Sequence, residues 1–329
     1  MTFGSLRRGQ PPSTVEHFIH HAEHKPSQRS NCAQLCPSRD HESRGSMIIA
    51  RVRGGLGNQM FQYATAKALA RRHGCSFALY VPRLKRHPDR PFTLVDCFAA
   101  RVPLARLTDF QSFKGGLLSL PFLRRRLHPQ VREERGHNFD ASLILAQPPL
   151  YLDGYWQSEM YFRETRDELL QDFSWKTAPA ERNLATLEQI EETESIAVHV
   201  RRGDYVSNPG ATAHHGVLGL SYYEAAMHLA MQHSRNPRFF VFSDDIPWAR
   251  EHLGRLGTCV FVDQNSGAAS EDLRLMAACK HQIIANSSFS WWAAWLNTNP
   301  NKMVVAPKNW LTKPPHTFQD VFAAGWTTL

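Results

Sequence analysis

The sequence has no long hydrophobic run. Its apolar segments, such as 283–285 and 291–296, are short, and none approaches the roughly 18 to 20 apolar residues that a membrane-crossing helix needs. Residues 1–46 also lack the apolar core of a secretory signal peptide, because Val15, Phe18 and Ile19 are scattered among polar residues. We therefore expect a cytoplasmic protein, for which peripheral contact with the inner face of the membrane stays open.

Cysteine is scarce as well. Six cysteines in 329 residues are too few to form a disulfide framework, so we expect them to be reduced. Cys32 and Cys36 lie near several histidines, but their spacing matches no zinc-finger pattern. We therefore expect no metal site in this part of the chain.

Two common nucleotide-binding motifs are missing. The glycine turn Gly55-x-Gly57-x-x-Met60 lacks the last glycine of the dinucleotide fingerprint, and the next predicted strand ends at Val81 without the expected acidic residue. No phosphate loop of the G-x-x-x-x-G-K type occurs either. These absences argue against a NAD-dependent oxidoreductase, which we keep only as an alternative.

The formal net charge of +8 is partly concentrated in two clusters. The first contains Arg83, Lys85, Arg86 and Arg90, and the second contains Arg124, Arg125 and Arg126. A solvated surface is the simpler interpretation of both clusters. The second cluster follows an apolar stretch, which also suits peripheral contact with anionic lipid. We expect no nucleic acid partner.

The composition changes at Met47. Residues 1–46 are polar and show no periodicity, whereas a buried strand is predicted directly after them. We expect residues 1–46 to be a disordered extension, and we suspect that Met47 is the native start.

Strands and helices alternate from Met47 onward. The pattern predicts a strand over 48–52, a helix over 58–73 that ends at Gly74, and a strand over 76–81. A further strand over 150–156 and a helix capped by Ser158 follow. A second series places strands over 196–200, 239–242, 258–262, 282–285 and 303–306, with intervening helices that begin near 221, 247, 270 and 288. A Ser221–Glu224 capping box and a Ser270 cap are predicted for two of these helices.

This alternation predicts an α/β protein with parallel sheets covered by helices on both faces. We expect two Rossmann-like domains, 47–175 and 176–329, that face a cleft.

Polar residues follow the predicted strands. In an open parallel sheet, ligands bind beyond the carboxyl ends of the strands, so these residues are expected to share one pocket. They are His199, Arg201, Arg202 and Asp204 at the end of one strand; Asp244 and Asp245 after the next; Asn286, Ser287, Ser288 and Ser290 after a third; and Gly55, Gly57, Asn58 and Gln59 after the first strand of the chain.

Arginine pairs and a helix start favour phosphate. Guanidinium groups match phosphate oxygens in a bidentate way, and free N–H groups at a helix N-terminus attract anions. Alternatively, Arg201 and Arg202 pair with nearby acids, and Ser288 only caps its helix. Asp244 and Asp245 suit hydrogen bonds to a ribose or a purine, but one of them is equally able to cap a helix.

Three segments resemble the motifs of the alpha-1,2-fucosyltransferases of glycosyltransferase family 11. They are G-G-L-G-N-Q-M-F-Q-Y-A at 54–64, H-V-R-R-G-D-Y at 199–205 and N-S-S-F-S-W-W at 286–292, and the resemblance covers residues 47 to about 311. It implies a glycosyltransferase-B fold, in which 47–175 is the acceptor-side domain and 176–329 binds the nucleotide sugar. It further implies GDP-beta-L-fucose as donor, inversion at the anomeric carbon, and the 2-hydroxyl of a galactose as acceptor. It also implies that no metal or other cofactor is required.

The resemblance implies roles for individual residues. Arg201 and Arg202 would bind the diphosphate, Ser287, Ser288 and the neighbouring Asn286 and Ser290 would lie at the phosphate, and the glycine loop would face the cleft. Asp244, Asp245 and the helix start with Glu271 and Asp272 would lie near the guanosine. Arg201 and Arg202 would stabilise the departing GDP. The resemblance does not decide the general base: Asp204 and His199 are the candidates for that role or for orienting a neighbouring group, and a structural pair of Asp204 with an arginine is an equal alternative. The acceptor is expected in O-antigen or another surface polysaccharide, and another nucleotide-sugar donor remains an alternative.

Overall fold

The computed structural model describes residues 46–82, 91–112, 130–312 and 319–329. Several predictions concern residues outside these ranges: the disordered extension up to residue 45, Cys32 and Cys36, and the basic clusters at 83–90 and 124–126. Among the described cysteines, Cys75, Cys97, Cys259 and Cys279 are free thiols, as expected.

The first half of the chain builds a parallel sheet. Its elements are β1 (Met47–Arg51), α1 (Leu56–His73), β2 (Ser76–Tyr80), α2 (Leu94–Cys97), a 3-10 turn (Leu107–Ser112), β3 (Val131–Glu133), α3 (Ala141–Leu145) and β4 (Leu150–Asp153). The described strands have the order β2-β1-β4-β3, and each neighbouring pair is parallel.

A helical segment connects the first sheet to a second one. It contains 3-10 turns at Glu159–Tyr161 and Arg163–Thr165, α4 (Arg166–Asp172), a 3-10 turn at Glu181–Asn183, and α5 (Leu184–Glu192).

The second sheet is also parallel. Its elements are β5 (Glu194–Val200), α6 (Gly203–Ser207), α7 (Pro209–His215), α8 (Leu220–His233), β6 (Pro237–Ser243), α9 (Ile246–Leu253), β7 (Thr258–Val262), α10 (Ala269–Ala278), β8 (His281–Ile283), α11 (Ser288–Leu296), β9 (Val304–Ala306), a 3-10 turn (Gln319–Val321) and β10 (Thr327–Thr328). The described strands have the order β10-β9-β8-β5-β6-β7, with parallel pairs throughout.

The prediction of an α/β fold with parallel sheets is confirmed. Its physical basis is visible in β6, where Phe239, Phe240, Val241 and Phe242 are all buried because helices cover both faces of the sheet. Gly74 ends α1 in the left-handed conformation, with φ of 60°, as predicted. One hydrophobic core joins side chains from both sheets, so the division into domains 47–175 and 176–329 stays a prediction.

Two predicted helix caps are wrong, and a third has the predicted cap residue but starts a different kind of helix. α8 begins at Leu220 after the extended Gly219, so Ser221 and Glu224 form no capping box. α10 begins at Ala269, and Ser270 lies inside it rather than capping it. In both cases the turn into the helix is made by the backbone, without a side-chain cap. Ser158 does accept a hydrogen bond from the Met160 N–H, but it starts a 3-10 turn, and the α-helix begins only at Arg166.

The two sheets are joined where α1 packs against α11. The Phe61 ring lies 4.4 Å from Trp291 and 4.9 Å from Trp292 between centroids, and these tryptophans are completely buried. At the N-termini of the helices, a Cβ added to Gly57 would lie 2.5 Å from the Ser288 carbonyl carbon. Only glycine allows this approach of the two backbones. No helix in the described ranges is long and apolar enough to cross a membrane.

This contact yields a stability prediction. Gly57→Ala is expected to destabilise the protein by about 1–3 kcal/mol, because the added methyl group overlaps backbone atoms that cannot rotate away. Gly55→Ala is the matched control, since a Cβ there meets nothing within 4 Å, and it should cost less than about 1 kcal/mol. Thermal and urea unfolding of both variants provide the measurement. Equal stability of the two variants would contradict the close contact.

Candidate functional site

A large cavity opens at the carboxyl ends of the strands of both sheets. Its volume is about 1120 Å³. The first sheet contributes Gly55, Gly57 and Asn58 after β1 and Tyr155 and Gln157 after β4; the second contributes Arg201 and Asp204 after β5, Asp244 after β6, Asn265 after β7, and Asn286, Ser287 and Ser288 after β8. The convergence expected from the strand ends is therefore present.

Arg201 is held between two carboxylates in the cavity wall. Its Nη2 lies 2.5 Å from Asp204 Oδ1, and its Nη1 lies 2.8 Å from Asp244 Oδ2. The side chain stays 31% exposed, so an incoming ligand can reach it. The guanidinium is thus oriented before any anion binds, and its charge is balanced by two acids.

Arg202, in contrast, does not line the cavity. Its Nε donates to Asp245 Oδ2 at 3.1 Å, and its guanidinium lies 4.1 Å from the centre of the Trp248 ring. Asp245 in turn accepts a hydrogen bond from the Trp248 N–H and caps α9. Arg202 and Asp245 therefore form a structural group beside the cavity, which matches the alternative interpretation of ion pairing and helix capping.

The N-terminus of α11 forms a second part of the wall. Ser287 is the N-cap, and its Oγ accepts a hydrogen bond from the Phe289 N–H at 3.3 Å. Ser287 and Ser288 line the cavity, whereas Ser290 is fully buried and donates to backbone carbonyls. This helix end presents backbone N–H groups, which favour an anion.

Asn286 lies at the same end of the cavity. Its Nδ2 donates to the carbonyl of His215 at 2.8 Å, while its Oδ1 is buried and has no hydrogen-bond partner. Asn286 therefore fixes the end of α7 against the wall and keeps an acceptor available.

His199 is buried at the base of the cavity with 6% exposure. Burial is the main reason that its pKa falls to about 4; the positive charge of Arg201 acts in the same direction, and Asp244 opposes both. The imidazole is therefore neutral near pH 7, and its Nδ1 has no hydrogen-bond partner. A neutral imidazole can accept a proton, but Asp204 also lines the cavity, so the choice between these two bases stays open.

Neighbouring acids at the start of α10 have different environments. Asp272 lines the cavity, and burial raises its pKa to about 6, although Asn265 Nδ2 donates to its carboxylate at 2.9 Å. Glu271 is not part of the wall. It accepts hydrogen bonds from the Ala180 N–H, Asn183 Nδ2 and Arg274 Nε, so it anchors α10 from below.

The glycine loop divides in a similar way. Gly55, Gly57 and Asn58 line the cavity, but Gln59 does not. The Gln59 amide donates to the carbonyls of Gly54 and Pro91 and accepts from the Thr93 N–H. Gln59 therefore holds the loop in place from inside the protein.

Comparisons with known proteins identify the family of the chain. The model of glycosyl transferase family 11 matches residues 120–329. The chain is 33% identical over 285 residues to the alpha-1,2-colitosyltransferase of Escherichia coli, and this match covers 82% of the chain and 93% of that protein. The chain belongs to glycosyl transferase family 11.

Other family 11 relatives and a solved structure are similar over most of the chain. The galactoside 2-alpha-L-fucosyltransferase SEC1 of Bos taurus is 30% identical over 78% of this chain and 66% of its own length. Among solved structures, NodZ alpha-1,6-fucosyltransferase soaked with GDP-fucose matches 76% of this chain and 92% of its own at 17% identity, with a TM-score of 0.48. The family model and the colitosyltransferase match confirm, at the level of the family, the resemblance inferred from the motifs. They do not agree with the oxidoreductase alternative.

Several residues in the cavity of this family 11 protein are not predicted from sequence. Tyr155 and Gln157 line the wall beyond β4, and His137, His214 and His215 lie at the cavity as well. The predicted strand over 150–156 is too long, since β4 ends at Asp153. A shorter strand would have placed Tyr155 and Gln157 after the strand, where ligand-binding residues are expected.

The part of the chain that the structure describes shows no candidate metal site. Within it, no group of three or more His, Cys, Asp and Glu side chains is arranged to hold a metal ion. Metal independence of the protein stays a prediction.

Proposed function

We propose that this family 11 glycosyltransferase transfers L-fucose from GDP-beta-L-fucose to the 2-hydroxyl of a galactose residue in a glycan. The observation that carries the proposal is the shared placement of Arg201 and the N-terminus of α11 in one cavity wall. Relatives named alpha-1,2-colitosyltransferase and galactoside 2-alpha-L-fucosyltransferase support the linkage. The Escherichia coli relative named O-antigen biosynthesis glycosyltransferase WbnK, 41% identical over 36% of this chain, supports a polysaccharide acceptor.

The diphosphate would lie against Arg201 and the first turn of α11. As the bond between the sugar and the diphosphate breaks, negative charge grows on the departing GDP. Arg201 and the backbone N–H groups beside Ser287 and Ser288 would stabilise that charge in a partly desolvated cavity. Asp204 and Asp244 hold Arg201 in orientation, which lowers the reorganisation needed during the reaction.

The guanosine would lie toward β6 and β7. The carboxylates of Asp244 and Asp272 line this end of the cavity, and they would accept hydrogen bonds from the ribose hydroxyls and from the N–H edge of guanine. Ile246 and Val262 line the same region and would contact the faces of the base and ribose.

The transfer would proceed with inversion. The acceptor oxygen attacks the anomeric carbon of fucose, the bond from that carbon to the β-phosphate oxygen breaks, and GDP carries away the electron pair. The proton of the acceptor hydroxyl passes to a base, for which Asp204 and His199 are the candidates. Asp204 is paired with Arg201, and His199 is neutral near pH 7 because burial lowers its pKa.

A donor with a related deoxy sugar is the second candidate. The observation in its favour is the similarity to the colitosyltransferase, which extends over 93% of that protein. Colitose is fucose without the 3-hydroxyl group. A site that hydrogen-bonds this hydroxyl would reject the deoxy donor strongly, whereas a site without such a contact would accept both.

The proposed function is tested first by calorimetric titration with GDP in buffer that contains a chelator, alongside UDP and NAD. Binding of GDP at micromolar concentration is expected, with no comparable binding of UDP or NAD. Transfer is then measured from GDP-fucose and GDP-colitose to galactose-terminated oligosaccharides, with the linkage determined by NMR. Absence of GDP binding would refute the donor assignment, and preferred transfer from GDP-colitose would replace fucose by colitose.

Variants of the two adjacent arginines test which of them contacts phosphate and which forms only a structural pair. Arg201→Lys should lower kcat about 100-fold and weaken GDP binding, because lysine keeps the charge but loses the guanidinium fork. Arg202→Lys is the matched variant, and it should change the Kd for GDP less than about threefold while lowering the Tm, because it removes the contact with Trp248. A greater loss of GDP affinity in Arg202→Lys would reverse the assignment.

The raised pKa of Asp272 predicts a pH dependence of GDP binding. Below its pKa of about 6 the carboxyl group is protonated and accepts poorly from guanine, so the affinity should fall as the pH drops from 8 to 5. Linkage gives a loss of about tenfold at pH 5 from this group alone. The terminal phosphate of GDP also titrates at about pH 6. The readout is therefore the difference between wild type and Asp272→Asn in how the Kd for GDP depends on pH. Identical pH profiles would exclude Asp272 from nucleotide binding.

A further inference from the structure

The turn formed by Gly154, Tyr155, Trp156 and Gln157, which we call the 154–157 turn, has an uncommon backbone. Trp156 adopts a φ of 57°, in the left-handed region that a bulky residue rarely occupies. Such a conformation costs free energy and persists only where the surroundings enforce it, which is often at functional sites. The turn follows β4 directly, at the carboxyl edge of the first sheet.

Three groups of contacts fix the 154–157 turn. The carboxylate of the half-buried Glu134 accepts hydrogen bonds from the N–H groups of Tyr155 at 2.7 Å and Trp156 at 2.9 Å, one on each oxygen. Gln62 Nε2 donates to the Gly154 carbonyl at 3.1 Å. A Cβ on Gly154 would lie 2.6 Å from both the Glu134 Cβ and the Trp156 ring. The turn is therefore closely packed, and Trp156 is anchored in the core with 2% exposure.

The two residues on either side of Trp156 face the cavity. Tyr155 and Gln157 both belong to its wall. The guanidinium of Arg53 lies 4.4 Å from the centre of the Tyr155 ring, and Gln157 Nε2 donates to Asn58 Oδ1 at 2.7 Å. Both side chains are thus oriented without a ligand.

The position of the turn relative to the phosphate site follows from the contact between α1 and α11. Gly57 approaches the backbone of Ser288 so closely that a Cβ would overlap it. Asn58 follows Gly57 and binds Gln157. Gln157 is therefore separated from the N-terminus of α11 by little more than the width of the glycine loop.

The chemistry of the two walls also differs. Among the described residues that line the cavity, the part of the chain up to Gln157 contributes Asp96 but no arginine or lysine, and the cation beside Tyr155 is Arg53, which is not part of the lining; the second sheet contributes Arg201. Tyr155 offers an aromatic ring with a hydroxyl group, and Gln157 offers an amide. An aromatic ring beside an amide suits a neutral pyranose, whose C–H face packs on the ring while its hydroxyls bind the amide. A phosphate, which needs a cation, or a nucleobase, whose N–H groups need carboxylate acceptors, would bind better to the opposite wall.

We propose that the 154–157 turn binds the acceptor sugar, with Tyr155 as the packing surface and Gln157 as the hydrogen-bonding group, and that Glu134 is the positioning residue that shapes the turn. The inference rests on the proposed function, because it needs a donor bound along the second sheet. It assigns acceptor recognition to named side chains, and it takes a neutral hexopyranoside with a free 2-hydroxyl as the ligand.

Tyr155 and Gln157 are tested by steady-state kinetics with a galactose-terminated oligosaccharide at saturating GDP-fucose. Tyr155→Ala should raise the KM for the acceptor at least about tenfold, since it removes the packing surface, while the Kd for GDP stays within about twofold. Tyr155→Phe is the matched control, because it keeps the ring and should retain nearly normal acceptor KM. Gln157→Ala should also raise the acceptor KM without altering GDP affinity.

The positioning role of Glu134 has its own test. Glu134→Gln places an amide donor against one of two backbone N–H groups that both need an acceptor, so the turn should loosen and the acceptor KM should rise, again with GDP affinity retained. Glu164→Gln is the control, because Glu164 is an exposed carboxylate that pairs with Arg72. A merely structural role for Glu134 would lower the Tm and leave the acceptor KM unchanged.

The possible outcomes separate this inference from the proposed function. Normal GDP binding together with an unchanged acceptor KM in Tyr155→Ala and Gln157→Ala would overturn the acceptor assignment and leave the donor assignment standing. Absence of GDP binding in the wild type would overturn both. If Tyr155→Ala does not fold, Gln157→Ala, whose side chain is only half-buried, decides the question.

Discussion

The close contact between the N-termini of α1 and α11 determines the geometry of the cavity. The backbone at Gly57 touches the backbone at Ser288, and the buried rings of Phe61, Trp291 and Trp292 hold the helices together below this point. One helix follows the first strand of the first sheet, and the other follows β8 of the second sheet. Their contact therefore sets the distance between the two walls, and the positions of the anion site and of the 154–157 turn depend on it.

Charge in the unliganded site is balanced around Arg201. Asp204 and Asp244 compensate the guanidinium. The neighbouring His199 stays neutral mainly because it is buried, and the positive charge of Arg201 acts in the same direction. A phosphate that binds Arg201 must compete with these two carboxylates, so part of its attraction is offset. In return, the arginine is held in one orientation, which is the arrangement that favours stabilisation of developing charge over tight binding of the ground state.

The sequence predicts the fold better than it predicts the role of each polar residue. Strand β7 and helix α11 have the predicted bounds, because apolar runs and glycine turns mark them clearly. The roles of adjacent polar residues are harder to predict. Arg201 and Arg202 follow the same strand but lie in different surroundings. Glu271 and Asp272 also differ, because neighbouring side chains on a helix are rotated by about 100° from each other. Tyr155 and Gln157 are not predicted because the left-handed backbone conformation at Trp156 occurs without the glycine that usually marks such a turn in a sequence.

The arrangement divides the requirements of a transfer reaction between two walls. The second sheet carries Arg201, the helix N-terminus and the acids, which suit a charged nucleotide, whereas the turn after β4 carries neutral side chains that suit a sugar. Substitutions of Tyr155 or Gln157 can therefore alter the proposed binding of the sugar without adding or removing charge near the proposed nucleotide site. The link between Gln157 and Asn58, one residue from the Gly57 contact, nevertheless couples the walls. The proposed acceptor and donor sites thus differ in chemistry but are connected through the glycine loop, and a shift of α1 would move both at once.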